Sequence, residues 1–149
     1  TTEIYTLSLH DALPILERFR KYLFDKFRVT KAFLFIGYVS KNESMYESFK
    51  KFGYEVVFKP TVKDSFGRVK GNIDADLVLY SSCLKLRYYD KAVFVSGDGD
   101  FYCLYSFLEK KGRLKKIIVP NKYSESSLLS RFGKYKVYLD RERSKLERK

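Results

Sequence analysis

Two pairs of aspartates carry the clearest potential for chemistry in this sequence. Asp74 and Asp76 lie in the segment KGNIDADL, and Asp98 and Asp100 lie in VSGDGDF. Converging carboxylates repel one another, and without a counter-charge some of them must take up a proton. Carboxylate oxygens are hard ligands, so a divalent cation held by them would be Mg²⁺ or Mn²⁺ rather than zinc. The four aspartates are therefore candidate catalytic and metal-binding residues.

The same aspartates also have a purely structural interpretation. Aspartate is common at helix N-caps and in turns. Asp100 directly precedes the predicted helix FYCLYSFLEKK, which it is placed to cap. Any one of the four residues is more typical of a cap than of a ligand, whereas two D-x-D pairs together favour a joint site. The pattern alone leaves both interpretations open.

Helix-like and strand-like segments alternate from Leu16 onward. Leu16, Phe19, Leu23 and Phe27 recur at spacings of three and four, which is typical of an amphipathic helix. Short apolar runs between the helices are typical of buried strands. The predicted strands are 31–38, 55–59, 91–96, 115–120 and 136–139, and the predicted helices are 16–27, 45–52, 74–86, 101–111 and 124–132.

This alternation predicts a fold in the α/β class. Strands separated by helices form parallel crossover units, which gives a three-layer, Rossmann-like domain with a mostly parallel sheet and helices on both faces. Ligands of such sheets bind at the carboxyl ends of the strands. Asp98 and Asp100 follow the predicted strand 91–96, so we expect them at that edge.

The charge of the chain points to a polyanionic partner. There are 30 Lys and Arg residues against 18 Asp and Glu, a formal net charge of +12. Such an excess attracts nucleic acid, although it also keeps a small domain soluble. The predicted loop 61–72 is one basic segment, with Lys63, Arg68 and Lys70. Charge alone does not choose between the two interpretations.

Cysteine usage and hydropathy exclude several classes of protein. Cys83 and Cys103 lie far apart with no C-x-x-C partner, which argues against a zinc site or a disulfide framework and favours the cytoplasm. Both cysteines are predicted to pack on apolar helix faces. No apolar run approaches the roughly 18 residues of a membrane span. We therefore expect no membrane partner.

Residues 1–15 differ from the rest of the chain. The segment TTEIYTLSLHDALPI lacks the Lys, Phe and Tyr richness that follows, and it has no basic region typical of a signal peptide. It is predicted to be artefactual or non-native, so His10 and Asp11 are given no function. The predicted domain then covers residues 16–140, and a charged tail covers 141–149.

At the aspartate pairs the sequence resembles a known family. KGNIDADLVLY followed by YDKAVFVSGDGDFYCLYSFLEKKG resembles the NYN domain, a branch of the PIN-like nuclease superfamily that includes LabA-like bacterial proteins. The similarity runs from Leu16 to about Asp140. The resemblance implies a Rossmann-like, PIN-like sheet and metal-dependent endoribonuclease activity on RNA. An NYN fold without a complete site, which binds RNA or another protein but does not cleave, is the alternative.

The resemblance also implies roles for individual residues. By position in the motif, Asp74, Asp98 and Asp100 would hold Mg²⁺ or Mn²⁺, and Asp76 would assist. Ser96 matches the serine of the motif and would contact the nucleic acid. Lys70 corresponds to the basic residue before the family's middle helix. Nearby basic residues would position the RNA backbone as well, namely Lys59, Lys63 and Arg68.

The chain departs from the family pattern at its beginning. The family opens with a central strand that ends in an aspartate of the metal site, and here the suspect residues 1–15 stand in that place. Loss of this strand would leave unpaired strand edges in the middle of the sheet. Alternatively, the segment from Thr2 to Leu9 alternates like a strand and fills the position, which would bring Asp11 near the gap.

Overall fold

A computed structural model describes residues 2–6, 13–67, 69–70 and 73–142, with side chains described for residues 15–67 and 73–140. Six of its strands are β1 (Thr2–Thr6), β2 (Val29–Gly37), β3 (Tyr54–Lys59), β6 (Lys91–Val95), β7 (Leu114–Val119) and β8 (Lys136–Tyr138). These strands form one parallel sheet in the order β3-β2-β1-β6-β7-β8. The sequence prediction of a parallel α/β sheet is thus confirmed.

Helices cover both faces of the sheet and make it three-layered. The helices are α1 (Leu13–Phe27), α2 (Glu43–Lys51), α3 (Asp74–Leu79) and α4 (Tyr102–Lys110). One buried cluster joins α1 and α2 to one face, and a second joins α3 and α4 to the other. Alternate residues of a strand enter different clusters, as Phe94 and Val93 do in β6, because neighbouring side chains point to opposite faces.

The helix boundaries follow from local sequence. In α1 the predicted apolar stripe of Leu16, Phe19 and Leu23 is buried against the sheet. Helix α2 is followed by Gly53, whose φ of +98° is a conformation that glycine adopts without steric cost. The prediction that Gly53 ends this helix is therefore confirmed.

The centre of the sheet is occupied by the first strand. Strand β1 pairs in parallel with β2 on one side and with β6 on the other. The structure therefore agrees with the alternative prediction, in which the segment starting at Thr2 fills the central position of the sheet. No strand edge is left unpaired at this position. His10 and Asp11 lie outside the described residues. The origin of residues 1–15 stays a prediction, although Thr2–Thr6 and the first turn of α1 are parts of the fold.

Several segments differ in detail from their predictions. The loop 61–72 contains a short antiparallel pair, β4 (Val62–Lys63) and β5 (Val69–Lys70). Beyond α3 the chain forms a π-helical turn, Tyr80–Leu84, where one continuous helix was expected. The segment predicted as a helix at 124–132 forms two short 3₁₀ stretches over Ser127–Tyr135, separated by a kink at Phe132. Of the predicted charged tail, residues 143–149 lie outside the described part.

Both cysteines are exposed, so the prediction that they pack on apolar helix faces is wrong. In α4 the face toward the sheet carries Leu104, Tyr105 and Leu108, and Cys103 lies away from it. In the π-helical turn the buried residue is Ser81 rather than Cys83. Among the described residues, no helix is both long and apolar enough to cross a membrane.

Candidate metal centre

Three aspartates converge at the carboxyl edge of the sheet. Asp74, Asp98 and Asp100 each offer a carboxylate oxygen, and these oxygens all lie within 4.8 Å of one another. Asp74 is the first residue of α3, whereas Asp98 and Asp100 follow β6. The chain builds outward from β1 through β2 in one direction and from β6 through β7 in the other. The cluster therefore lies beside the point where the strand order reverses, the usual ligand position in such sheets.

The loop after β6 is held by hydrogen bonds between neighbouring residues. The Asp98 N–H donates to Ser96 Oγ at 3.1 Å, and the Asp100 N–H donates to Asp98 Oδ1 at 2.9 Å. Asp98 thereby caps a 3₁₀ turn, Gly99–Phe101, that leads into α4. The expectation that Asp100 is the N-cap is wrong, because this extra turn moves the capping position two residues earlier.

Close contact with a second loop also fixes the loop after β6. The Ser126 N–H donates to Gly97 O at 3.0 Å. A Cβ added to Gly99 would lie 2.3 Å from Ser126 Oγ, far inside van der Waals contact. Glycine at this position is therefore what allows the two loops to meet.

The electrostatics of the cluster favour a bound cation. Burial raises the pKa of the Asp74 carboxyl, the neighbouring Asp98 and Asp100 charges raise it further, and Lys59 opposes them. Three hard carboxylate oxygens in one place fit a divalent ion such as Mg²⁺ or Mn²⁺. The donor set therefore suits the predicted metal.

Asp76 lies outside this three-carboxylate cluster and pairs with a lysine. Lys59 Nζ at the end of β3 lies 3.3 Å from Asp76 Oδ2, and both side chains are about one-third exposed, at 34% and 38%. Lys59 was predicted to contact RNA and Asp76 to assist catalysis. The structure joins the two residues as an ion pair beside the cluster.

The other predicted RNA-binding residues take different positions. Lys63 is exposed and lines a groove of about 450 Å³ together with Lys41, Tyr38 and Thr61. Ser96 is buried, at 6% exposure, and faces a separate cleft. Arg68 and the side chain of Lys70 lie outside the described residues.

The separate cleft next to the carboxylates includes residues that sequence reasoning missed. Its volume is about 460 Å³. Asp98 and Asp100 form one side, and Pro120, Ser124, Ser126 and Leu128 from the segment after β7 form the other. Because β7 is the next strand beside β6, the segment that follows it ends at the same edge of the sheet. The order of the predicted strands along the chain was therefore the sequence signal that could have identified the residues after β7.

A largely buried ion pair ties the second loop to the edge of the sheet. Glu125 pairs with Lys136 of β8, and Tyr138 donates its hydroxyl to Glu125 Oε2 at 2.9 Å. Burial raises the pKa of the Glu125 carboxyl, but the bonds from Lys136 and Tyr138 outweigh it and lower the pKa. Glu125 thus anchors the outer wall of the cleft to β8.

Comparison with known proteins agrees with this architecture. A crystal structure of a protein of unknown function from Vibrio parahaemolyticus superposes with a TM-score of 0.69 over 93% of each chain, at 18% sequence identity. That similarity concerns the fold alone. No curated protein sequence matches the chain.

The sequence model of the NYN domain matches residues 4–139. This match begins before Leu16, where the resemblance was expected to start, and it includes residues of β1. It also spans all three clustered aspartates and both loops of the cleft. The chain therefore belongs to the NYN domain family, within the PIN-like nuclease superfamily.

Proposed function

We propose that this protein is a metal-dependent endoribonuclease that hydrolyses RNA phosphodiester bonds. The observation that carries the proposal is the convergence of Asp74, Asp98 and Asp100, whose ligand oxygens lie within 4.8 Å. These residues would hold Mg²⁺ or Mn²⁺. When bound, such an ion activates water and neutralises the charge that develops on phosphorus.

The chain's own residues would hold and orient the ion and the substrate. The bonds from Asp98 N–H to Ser96 and from Asp100 N–H to Asp98 preset the two carboxylates of the loop. Asp76 would assist through its pairing with Lys59, which places a positive charge next to the cluster. Lys59 would in this way add positive charge to the site, and its ammonium group would lie close to the approaching phosphate.

Positive charge around the site supports RNA as the substrate. The net charge of +12 attracts a polyphosphate backbone, and contacts with phosphate add affinity independently of base sequence. Lys63 lines the groove of about 450 Å³ and would hold the backbone there. Arg68 and Lys70 belong to the same basic segment of the sequence and are proposed to act with it.

The test is cleavage of single- and double-stranded RNA with Mn²⁺ or Mg²⁺, comparing the unmodified chain with Asp98→Asn. A matched control is Asp25→Asn, the same change on the exposed side of α1. We expect cleavage by the unmodified chain and by Asp25→Asn, and loss of cleavage with Asp98→Asn or a chelator.

Cleavage that persists in a chelator would refute the proposal. Folded protein that binds RNA with Mn²⁺ but leaves it intact would also refute it, and would assign the chain to the non-catalytic RNA-binding alternative. Circular dichroism on each variant checks that a loss of cleavage does not result from unfolding.

A further inference from the structure

The cleft beside the metal centre has chemistry that differs from a phosphate site. Its volume of about 460 Å³ lies within the roughly 300–1,000 Å³ of typical ligand pockets. Among the described residues that line it there is no lysine or arginine. Two of its lining residues, Asp98 and Asp100, carry negative charge. A phosphate in this cleft would face like charges without a side-chain cation to offset them.

Two serine hydroxyl groups in the cleft can donate hydrogen bonds to a ligand. Ser96 Oγ accepts the Asp98 N–H, and Ser126 Oγ accepts the Leu128 N–H at 3.2 Å. Each of these hydroxyls is the acceptor in that hydrogen bond, and a serine hydroxyl also has a proton that it can donate to a ligand. Ser96 is also buried at 6% exposure, so its hydroxyl is a built-in part of the cleft rather than a surface group.

Apolar groups form the remaining wall. Leu128 is 59% exposed although its side chain is large and apolar, and it lines the cleft together with the exposed Pro120. An apolar side chain left exposed beside hydroxyl donors suits a flat, partly polar ligand. Nucleobases of single-stranded RNA are contacted in this way, through their faces and their hydrogen-bonding edges.

The groove near β3 shows the opposite character. It has about the same volume, about 450 Å³, but Lys41 and Lys63 line it. Its walls join the ends of β2 and β3, because the Tyr38 N–H donates to Lys59 O at 2.8 Å and Thr61 Oγ1 donates to Tyr38 O at 2.7 Å. Lys59 in turn pairs with Asp76 beside the carboxylates. The edge of the sheet therefore offers a cationic groove and a neutral-to-acidic cleft.

We propose that the cleft between the loop after β6 and the segment 120–128 binds the nucleoside next to the scissile phosphate. The inference rests on the proposed function, since it places that phosphate at the three aspartates. Ser96 and Ser126 donate hydrogen bonds to the ribose or the base, and Leu128 contacts the base face. The RNA backbone beyond the phosphate continues into the cationic groove.

The experiment fills the cleft and measures binding rather than cleavage. Ser124→Phe places a ring in the cleft from an exposed position, and Ser130→Phe makes the same change at an exposed serine that does not line it. Leu128→Ala is a second variant that removes an exposed apolar contact without adding volume. The probes are a nucleoside 5′-monophosphate and inorganic phosphate, each titrated with Mg²⁺ and followed by amide NMR shifts.

We expect Ser124→Phe to weaken binding of the nucleoside monophosphate at least tenfold, and Leu128→Ala to weaken it severalfold. Ser130→Phe should bind it like the unmodified chain. Inorganic phosphate should bind equally to all four proteins, because it would bind to the Mg²⁺ ion held by the three aspartates. Amide shifts of Gly97 and Leu128 should appear with the nucleotide and not with phosphate.

Equal nucleotide binding by Ser124→Phe and the unmodified chain would overturn the inference, as would nucleotide shifts confined to the groove of Lys41 and Lys63. Because these measurements do not depend on turnover, they separate the two proposals. Nucleotide binding in the cleft without RNA cleavage would contradict the proposed function alone. RNA cleavage that Ser124→Phe leaves unchanged would contradict the nucleoside site alone.

Discussion

Asp98 has two functions that substitution can separate. Its Oδ1 accepts the Asp100 N–H at 2.9 Å and caps the turn into α4, while its carboxylate charge belongs to the three-aspartate cluster. Asp98→Asn keeps a side-chain oxygen for the cap and removes the charge, because asparagine is also a good N-cap. Asp98→Ala removes both the cap and the charge.

The expected energies follow from the geometry. The carboxylate oxygens lie no more than 4.8 Å apart. Two unit charges at that distance repel by about 1 kcal/mol in water and by about 3.5 kcal/mol at an effective dielectric constant of about 20. Without metal, Asp98→Asn should therefore be at least as stable as the unmodified chain. Loss of an N-cap costs about 1 kcal/mol, so Asp98→Ala should be less stable than Asp98→Asn by that amount.

A bound metal should reverse the order of the unmodified chain and Asp98→Asn. A ligand present at one hundred times its dissociation constant adds about 2.7 kcal/mol to the free energy of unfolding. The unmodified chain and the control Asp25→Asn should gain this from Mn²⁺. Both Asp98 variants should gain much less, because one of the three carboxylates is missing.

The assay is urea unfolding followed by circular dichroism, once in a chelator and once in saturating Mn²⁺, with the free energies obtained by linear extrapolation. An Asp98→Asn protein that gains as much from Mn²⁺ as the unmodified chain would refute Asp98 as a ligand. If Asp98→Asn in the chelator lost as much stability as Asp98→Ala, the separation of cap from charge would be wrong.

Three other features of the structure give predictions. Lys63→Glu should weaken RNA binding and reduce the slope of log affinity against log salt by about 0.7, the value for one single-strand phosphate contact. The same change at the exposed Lys51 on α2 should reduce the slope less. Filter binding at several salt concentrations measures both slopes. The pKa of Glu125 is lowered below its ordinary value of 4.5. The ionised Glu125 carboxylate therefore stabilises the folded state above pH 4.5, and this stabilisation is lost as the pH falls through the lowered pKa. Urea midpoints from pH 7 to pH 3 should therefore fall less steeply for Glu125→Gln, and equal slopes would contradict the ion pair's role. Gly99→Ala should lower the free energy of unfolding by about 1–3 kcal/mol and abolish stabilisation by Mn²⁺, because the added Cβ would lie 2.3 Å from Ser126 Oγ. Thermal unfolding with and without Mn²⁺ tests this prediction. An unchanged unfolding midpoint would argue against the close packing of the two loops.

The features predictable from sequence are those set by local pattern. The stripe of Leu16, Phe19 and Leu23 predicts α1, since helical spacing alone places those side chains on one face. The position of Asp98 and Asp100 after a buried strand likewise predicts their place at the sheet edge. These inferences depend on residues that are neighbours in the chain.

Features that depend on distant packing were not predictable in the same way. The N-cap is Asp98 rather than the predicted Asp100, because the chain enters α4 through a 3₁₀ turn in which Gly99 packs closely against Ser126. Cys103 is exposed because Leu104 and Tyr105 occupy the buried side of its helix. Each outcome is set by a partner more than twenty residues away or by competition between faces.

The first strand shows most clearly how topology outweighs composition. Thr2–Thr6 contains few apolar residues, so its sequence predicts a buried central strand only weakly. In the sheet, however, it pairs along its whole length with both β2 and β6, and those backbone bonds are available to almost any sequence of five residues. Asp98 follows β6, and Lys59 ends β3, which pairs with β2. Because β1 lies between β2 and β6, it holds these two parts of the site in register. The aspartate motif thus specifies the chemistry, whereas a strand with no chemical motif of its own sets the distance between the groups that would perform it.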